Sequence, residues 1–107
     1  MAVVRLDTTK ITDWASFHQV CYEAFGCFDG YGRNMNAWID CLSSLDEEGM
    51  TKFLLEKDEI LHIEIVEKEK FNSRFPKILK ELIECTAFVN QRYIATNGKP
   101  KVSMIFV

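Results

Sequence analysis

Ile60-Leu61-His62-Ile63-Glu64-Ile65-Val66 alternates as a strand with one buried face does. Leu61, Ile63 and Ile65 fall on one side of a period-two pattern, and Ile60, His62, Glu64 and Val66 on the other. Helical patterns lie on both sides of this strand, the upstream ones beyond a loop. Downstream, Lys68 to Arg74 is polar and holds a brief helix around Phe71, and then the strongest helical period in the chain begins. Phe75, Ile78, Leu79, Leu82, Thr86, Val89 and Tyr93 recur at that spacing. Pro76 suits a first turn, where its missing N–H costs nothing, and Asn97-Gly98 and Pro100 end the segment. Upstream, Asp46 to Asp58 is an acidic, glycine-containing connection with a small apolar patch at Phe53 to Leu55, read as an exposed loop with a short pinned turn. Before it lie two helices. One carries Met35, Trp38, Ile39, Leu42 and Leu45 as its apolar stripe, the other Trp14, Phe17, Cys21, Ala24 and Phe25. Thr12 or Asp13 can cap the earlier helix, and Gly26 stops it as a left-handed cap residue would.

The ends complete the pattern. Ala2 to Leu6 is a short β-branched run, and Val102 to Val107 is apolar at nearly every position, as an interior strand covered on both faces would be. The order is therefore β, two helices, β, one or two helices, β. Strands joined through helices pair in parallel with right-handed crossovers, which predicts an α/β fold: a three-stranded parallel sheet packed with helices. At 107 residues the chain has room for one hydrophobic core, so residues 1–107 are read as a single domain.

A content of 48% apolar and 27% charged residues is that of a globular chain rather than a disordered one. A net charge of −3 argues against nucleic acid as the partner, because such binding is dominated by phosphate contacts. The charge is unevenly spread. Between Gly26 and Met50 five acids (Asp29, Asp40, Asp46, Glu47, Glu48) face only Arg33, a balance of −4, leaving +1 for the rest. A cationic partner would be steered to that window. No apolar run reaches the ~20 residues of a membrane helix, and Met1 to Arg5 opens no signal peptide. The spacing of Cys21, Cys27, Cys41 and Cys85 fits neither a zinc module nor a disulfide framework, so four reduced thiols and a cytoplasmic location are expected.

The acidic window begins with Cys27-Phe28-Asp29-Gly30-Tyr31-Gly32-Arg33-Asn34-Met35-Asn36-Ala37-Trp38-Ile39-Asp40-Cys41-Leu42. Its two glycines are read as letting a loop reach positive φ and pass close to another surface. Opposite the apolar stripe of the helix that follows, Arg33, Asn36, Asp40, Ser43 and Ser44 share a polar face, with Asn36 and Asp40 adjacent at four residues' spacing. An aromatic-tipped loop followed by a polar helix face reads as a contact surface.

Tyr31-Gly32-x-Asn34-x-x-Ala37-x-x-Asp40-Cys41-Leu42 resembles the inhibitory loop and second helix of the barstar family, intracellular inhibitors of secreted bacterial ribonucleases. Phe17-His18-Gln19 sits where that family's first helix carries a similar triplet. The resemblance implies the same α/β fold and a plug for a ribonuclease active site. Asp40 would mimic the substrate phosphate, Tyr31 would be an aromatic contact, and Gly32 the point of close backbone approach. Asn34 and Asn36 would be polar contacts, beside Ser43 and Ser44, with Glu84 on the last helix as a further one. The chain departs from the family pattern at Gly30 (another aromatic there), Arg33 (an acid) and Asn36 (a second acid). Trp38-Ile39 also stands where Leu-Trp is expected. Two fewer negative charges facing the enzyme imply a partner other than the family's standard ribonuclease, namely a toxin-type ribonuclease, with this chain as its immunity protein in a 1:1 complex.

No enzyme signature stands out. Gly30-x-Gly32 does not follow a strand and lacks the third glycine of a dinucleotide site, and no P-loop or H-E-x-x-H occurs. No catalytic residue, cofactor or metal ligand is expected, nor a nucleic-acid or membrane partner. His18, at the edge of an apolar stripe, reads as a packed structural histidine, and His62 as strand decoration. Two alternatives remain: a small α/β adaptor with no nuclease partner, marked by burial of Tyr31 and Asp40, and a low-activity hydrolase, which needs a histidine close to a cysteine or carboxylate in a pocket.

Overall fold

The computed structural model describes residues 2–107. Seven main elements follow in order: β1 (Ala2–Leu6), α1 (Trp14–Phe25), α2 (Met35–Leu42), β2 (Leu61–Ile65), α3 (Lys68–Arg74), α4 (Pro76–Asn97) and β3 (Val102–Phe106). A single 3-10 turn at Thr8–Lys10 follows β1. The strands form one parallel sheet in the order β1-β2-β3, with Ala2 opposite Leu61, and Leu61 opposite Val102. This is the expected α/β architecture.

The alternation in β2 has the predicted consequence. Leu61, Ile63 and Ile65 are fully buried, while His62 and Glu64 are half-buried on the opposite face. Burying each such side chain is worth about 1.5–3 kcal/mol, which favours this register over one slipped by a residue. Helix α1 begins with a capping box: the Asp13 carboxylate accepts from the Ser16 N–H at 2.8 Å, and the Ser16 hydroxyl accepts from the Asp13 N–H at 3.0 Å. It ends at Gly26, where φ is +60° and an added Cβ would lie 2.7 Å from Cβ of Lys52. Glycine is required there on both counts. Helix α4 starts at Pro76 and stops at Gly98, also left-handed. Ile78, Leu79, Leu82, Thr86, Val89 and Tyr93 of its predicted stripe are buried.

One expectation fails. β3 is an edge strand rather than an interior one, and its second half is uncovered: Ile105 is 37% and Phe106 46% exposed. The central place belongs to β2, which hydrogen-bonds both neighbours. An apolar run records which side chains can be buried, not whether a helix lies over them. Where β3 begins it is tied to α4 instead, because the Asn90 side chain accepts from the N–H groups of Lys101 and Val102 and donates to the Val102 carbonyl.

The connection from α2 to β2 is irregular and exposed at Asp46, Glu47 and Glu48, as expected, with Leu55 buried as its pin. Lys101 anchors the far end of this connection. Its side chain is buried and its Nζ donates to the carbonyls of Glu56 (2.6 Å), Lys57 (3.1 Å) and Glu59 (3.4 Å). Among the described residues no helix is long and apolar enough to cross a membrane.

Candidate functional site

α2 packs on α4 and leads out of a loop that returns from α1. The loop is held to the residue 50–52 segment where it leaves α1. The Phe28 N–H donates to the Met50 carbonyl, and the Lys52 N–H to the Phe25 carbonyl, each at 3.0 Å. Asn34 then serves as the N-cap of α2, its Oδ1 accepting from the Ala37 N–H at 2.8 Å. Its Nδ2 donates back to the Gly32 carbonyl. The predicted polar contact at Asn34 is thus committed to holding the loop and helix together.

The loop glycines do not take the positive φ expected of them; the left-handed residue is Arg33, at φ +55°. Its guanidinium lies 5.2 Å from the Tyr22 ring centroid, a cation–π contact that helps offset the strain. Gly30 has a different reason to be glycine: a Cβ there would meet the Phe28 ring at 2.7 Å. Phe28, 36% exposed, fills the space that an aromatic side chain at position 30 would need. Gly32 is exposed, and a Cβ on it would make only ordinary contacts with Asn34 and Ala37.

Tyr31 is the main correction. It is buried rather than displayed, with its hydroxyl 2.6 Å from Nδ1 of the equally buried His18. Its ring stacks on Tyr22 at 6.3 Å between centroids. Burial pushes the Tyr31 phenol far above its ordinary pKa and, with a smaller effect from Arg33, holds His18 below 6.5. His18 is the structural histidine expected from the sequence, and its polar partner is a phenol, not a thiol or carboxylate.

Asp40 projects outward and its side chain is 70% exposed. Oδ1 accepts from Nη1 of Arg92 on α4 at 3.1 Å, and the same nitrogen is 3.3 Å from Oγ of Ser43. The Arg92 guanidinium also lies 5.2 Å from the ring centroid of Phe88, which is 52% exposed. Ser43 and Ser44 donate their hydroxyls to the helix carbonyls of Ile39 and Asp40. Asn36 is exposed on the same helix. Trp38 is fully buried in the core, as its stripe requires, and Ile39 is half-buried.

At the other end of α2 a groove of about 810 Å³ opens between α1, the loop and α4. Trp14, His18 and Met35 supply its apolar wall, and Arg33, Lys77 and Lys80 outnumber Glu81 on its rim. The acid that α4 brings to this groove is Glu81. Glu84 lines a separate depression with Asn72 and Pro76. The structure therefore places Asn36 and Asp40 on α2, with Ser43 and Ser44 just past its end, and turns Tyr31 inward.

Arg92, Phe88 and the basic groove were not found by sequence reasoning. Arg92 and Phe88 carry only a weak signal, a cation and an aromatic four residues apart off the buried stripe of α4.

The profile of the family described as Barstar (barnase inhibitor) matches residues 1–105. No curated protein matches the chain. The chain belongs to the barstar family.

Proposed function

We propose that this barstar-family chain is the immunity protein of a toxin-type ribonuclease and blocks that enzyme by seating the exposed face of α2 in its cationic active site. The observation that carries this reading is Asp40, an outward carboxylate largely open to solvent on a rigid helix. A ribonuclease holds substrate phosphate with Arg, Lys and His, and a carboxylate presented on a helix can take the phosphate's place. Arg92 keeps Asp40 oriented before the enzyme arrives, at the small cost typical of an exposed ion pair. Exposed Phe88, beside Arg92, supplies the aromatic contact that Tyr31 does not. Asn36, Ser43 and Ser44 form the polar rim, Gly32 the point of close approach, and Asn34 the cap beneath them.

The face is not uniformly acidic. Arg33, Lys77 and Lys80 ring the neighbouring groove, so the matching enzyme presents an acidic group there alongside the cations that meet Asp40. That mixed pattern, with the missing acid at Asn36, separates its partner from barnase. The complex is 1:1 and forms in the cytoplasm, without nucleic acid, membrane or cofactor.

The adaptor reading draws on one observation, the burial of Tyr31. Its companion requirement, a buried Asp40, is not met.

The test is inhibition of the ribonuclease captured from the native host, measured with wild type and Asp40→Ala. Asp40→Ala should change folding stability by less than about 1 kcal/mol, as loss of an exposed pair does. It should weaken inhibition by several kcal/mol, the scale of the barnase–barstar complex, because the enzyme's cations are left buried and unpaired. Equal inhibition by the two proteins would dismiss the plug.

A further inference from the structure

Cys27 follows the glycine that ends α1, and Cys41 lies in the last turn of α2. Their sulfur atoms are 3.1 Å apart, with the Cys41 thiol donating to the Cys27 sulfur. Both residues are buried, yet unequally: Cys27 is 8% exposed and Cys41 is sealed. The two thiols are free, as are Cys21 and Cys85. A disulfide bond is about 2.05 Å long, so a closing movement of about 1 Å separates the pair from bonding distance. Side-chain rotation at Cys27, which lies outside the helices, can supply that movement.

We propose that Cys27 and Cys41 form an oxidisable pair, which hydrogen peroxide converts to an intramolecular disulfide that staples the loop before α2 to α2 itself. The geometry assigns the roles. Cys27 is the less buried residue of the two and its sulfur accepts the hydrogen bond, so its thiolate attacks peroxide. The O–O bond breaks, Cys27 becomes a sulfenic acid, and one water leaves. The Cys41 sulfur then attacks the Cys27 sulfur, the S–O bond breaks, and a second water leaves with the Cys41 proton. Two thiols have lost two electrons and two protons, and one peroxide has been reduced to two waters. The acidities run the same way. Hydrogen bonding from Cys41 lowers the Cys27 thiol, whereas that bond and burial raise Cys41. Cys21 and Cys85 are both pushed up by burial and have no sulfur partner within hydrogen-bonding reach among the described residues.

The staple would enclose Phe28 to Asp40, the whole of the loop and most of the proposed contact helix. Phe28, Gly30, Gly32 and Asn34 are exposed within it, and the segment is held to the body by a few hydrogen bonds, to Tyr22 and Met50 among others. Closing a loop of this length removes conformations chiefly from the unfolded chain, and it also restrains local opening of the segment. This chemistry needs only the chain and hydrogen peroxide, not a ribonuclease, so its outcome is separate from that of the ribonuclease reading.

The test treats purified, reduced wild type with a small excess of hydrogen peroxide, alkylates the remaining thiols, and maps peptides without reductant. The expected product is a cross-linked Cys27–Cys41 peptide two hydrogens lighter than its parts, with Cys21 and Cys85 alkylated. The oxidised protein should melt roughly 10 °C higher than the reduced one, a gain that dithiothreitol reverses. Amide exchange over residues 28–34 should slow by at least severalfold. Cys27→Ala and Cys41→Ser should each abolish both changes, with circular dichroism confirming that the variants fold. If Cys27 and Cys41 are instead alkylated separately, carried on to sulfinic acids, or bridged to Cys21 or Cys85, the pairing is wrong.

Discussion

Tyr31→Phe separates an anchoring role for the loop tyrosine from a contacting one. The substitution removes one hydroxyl, 2.6 Å from Nδ1 of His18, and leaves the ring between Tyr22 and His18. A neutral hydrogen bond contributes about 0.5–1.5 kcal/mol net, but leaving a buried partner unpaired raises the loss to about 1–3 kcal/mol. His18 is itself buried, so the larger loss applies, about 1–3 kcal/mol. Urea denaturation reads this directly. With a slope of about 2 kcal/mol per molar, the midpoint should fall by roughly 0.5–1.5 M, with the slope itself unchanged. Ribonuclease inhibition, measured where both proteins are folded, should stay within about twofold, since the hydroxyl faces His18 and not the surface. An unchanged midpoint combined with weakened inhibition would refute the reasoning, for it would mean that the hydroxyl turns outward to the enzyme.

Two further outcomes follow from buried polar groups. His18 is held below its ordinary value of 6.5, first by burial and then by Arg33, so between its folded and unfolded values the unfolded chain binds more protons. Its contribution is complete above about pH 6.5 and is lost as the pH falls through the lower folded value; His18→Gln should flatten that part of the stability profile relative to wild type, in urea titrations from pH 7.5 to 5. Tyr93 joins α4 to the end of α2, its hydroxyl donating to the Leu42 carbonyl at 2.7 Å and accepting from the Leu45 N–H at 3.0 Å, and burial pushes the phenol up to about 12. Tyr93→Phe should cost about 1–3 kcal/mol in the same assay and should speed amide exchange at Leu45; a loss below about 0.5 kcal/mol would show that water replaces the hydroxyl.

Much of the fold was legible because its signals are local. The period-two pattern of Leu61, Ile63 and Ile65, the stripe from Ile78 to Tyr93, and the stops at Gly26 and Gly98 each depend on residues within a few positions of one another. The placement of β3 was not legible in the same way. Six largely apolar residues suit an interior strand or an edge equally, and the choice depends on which neighbour the crossover from α4 leaves beside them. The loop was misread for a related reason. Without periodicity nothing in Gly30-Tyr31-Gly32 says which side chain turns inward, and Tyr31 is fixed by His18, thirteen residues away on α1. The pairs that define the site reach further in sequence or lie across elements: Asp40 with Arg92, and Cys27 with Cys41.

These long-range pairs bear on how a divergent barstar could keep its task. Tyr31 is spent on packing, and Phe88 offers an exposed aromatic ring from α4 instead. Gly30 has no side chain, and Phe28 fills the space two residues earlier. An acid is absent at Asn36, and Arg33 adds a cation, yet Asp40 remains outward and is oriented by Arg92. At position 30 the lost ring has a counterpart nearby in space, since Phe28 fills that site. Binding depends on where charge and apolar area lie on the surface, not on which residue number supplies them. On that argument the α2–α4 seam, rather than the loop tip, is the centre of the proposed contact. Substitutions at Asp40 and Phe88 should therefore outweigh any at Gly32 or Asn36.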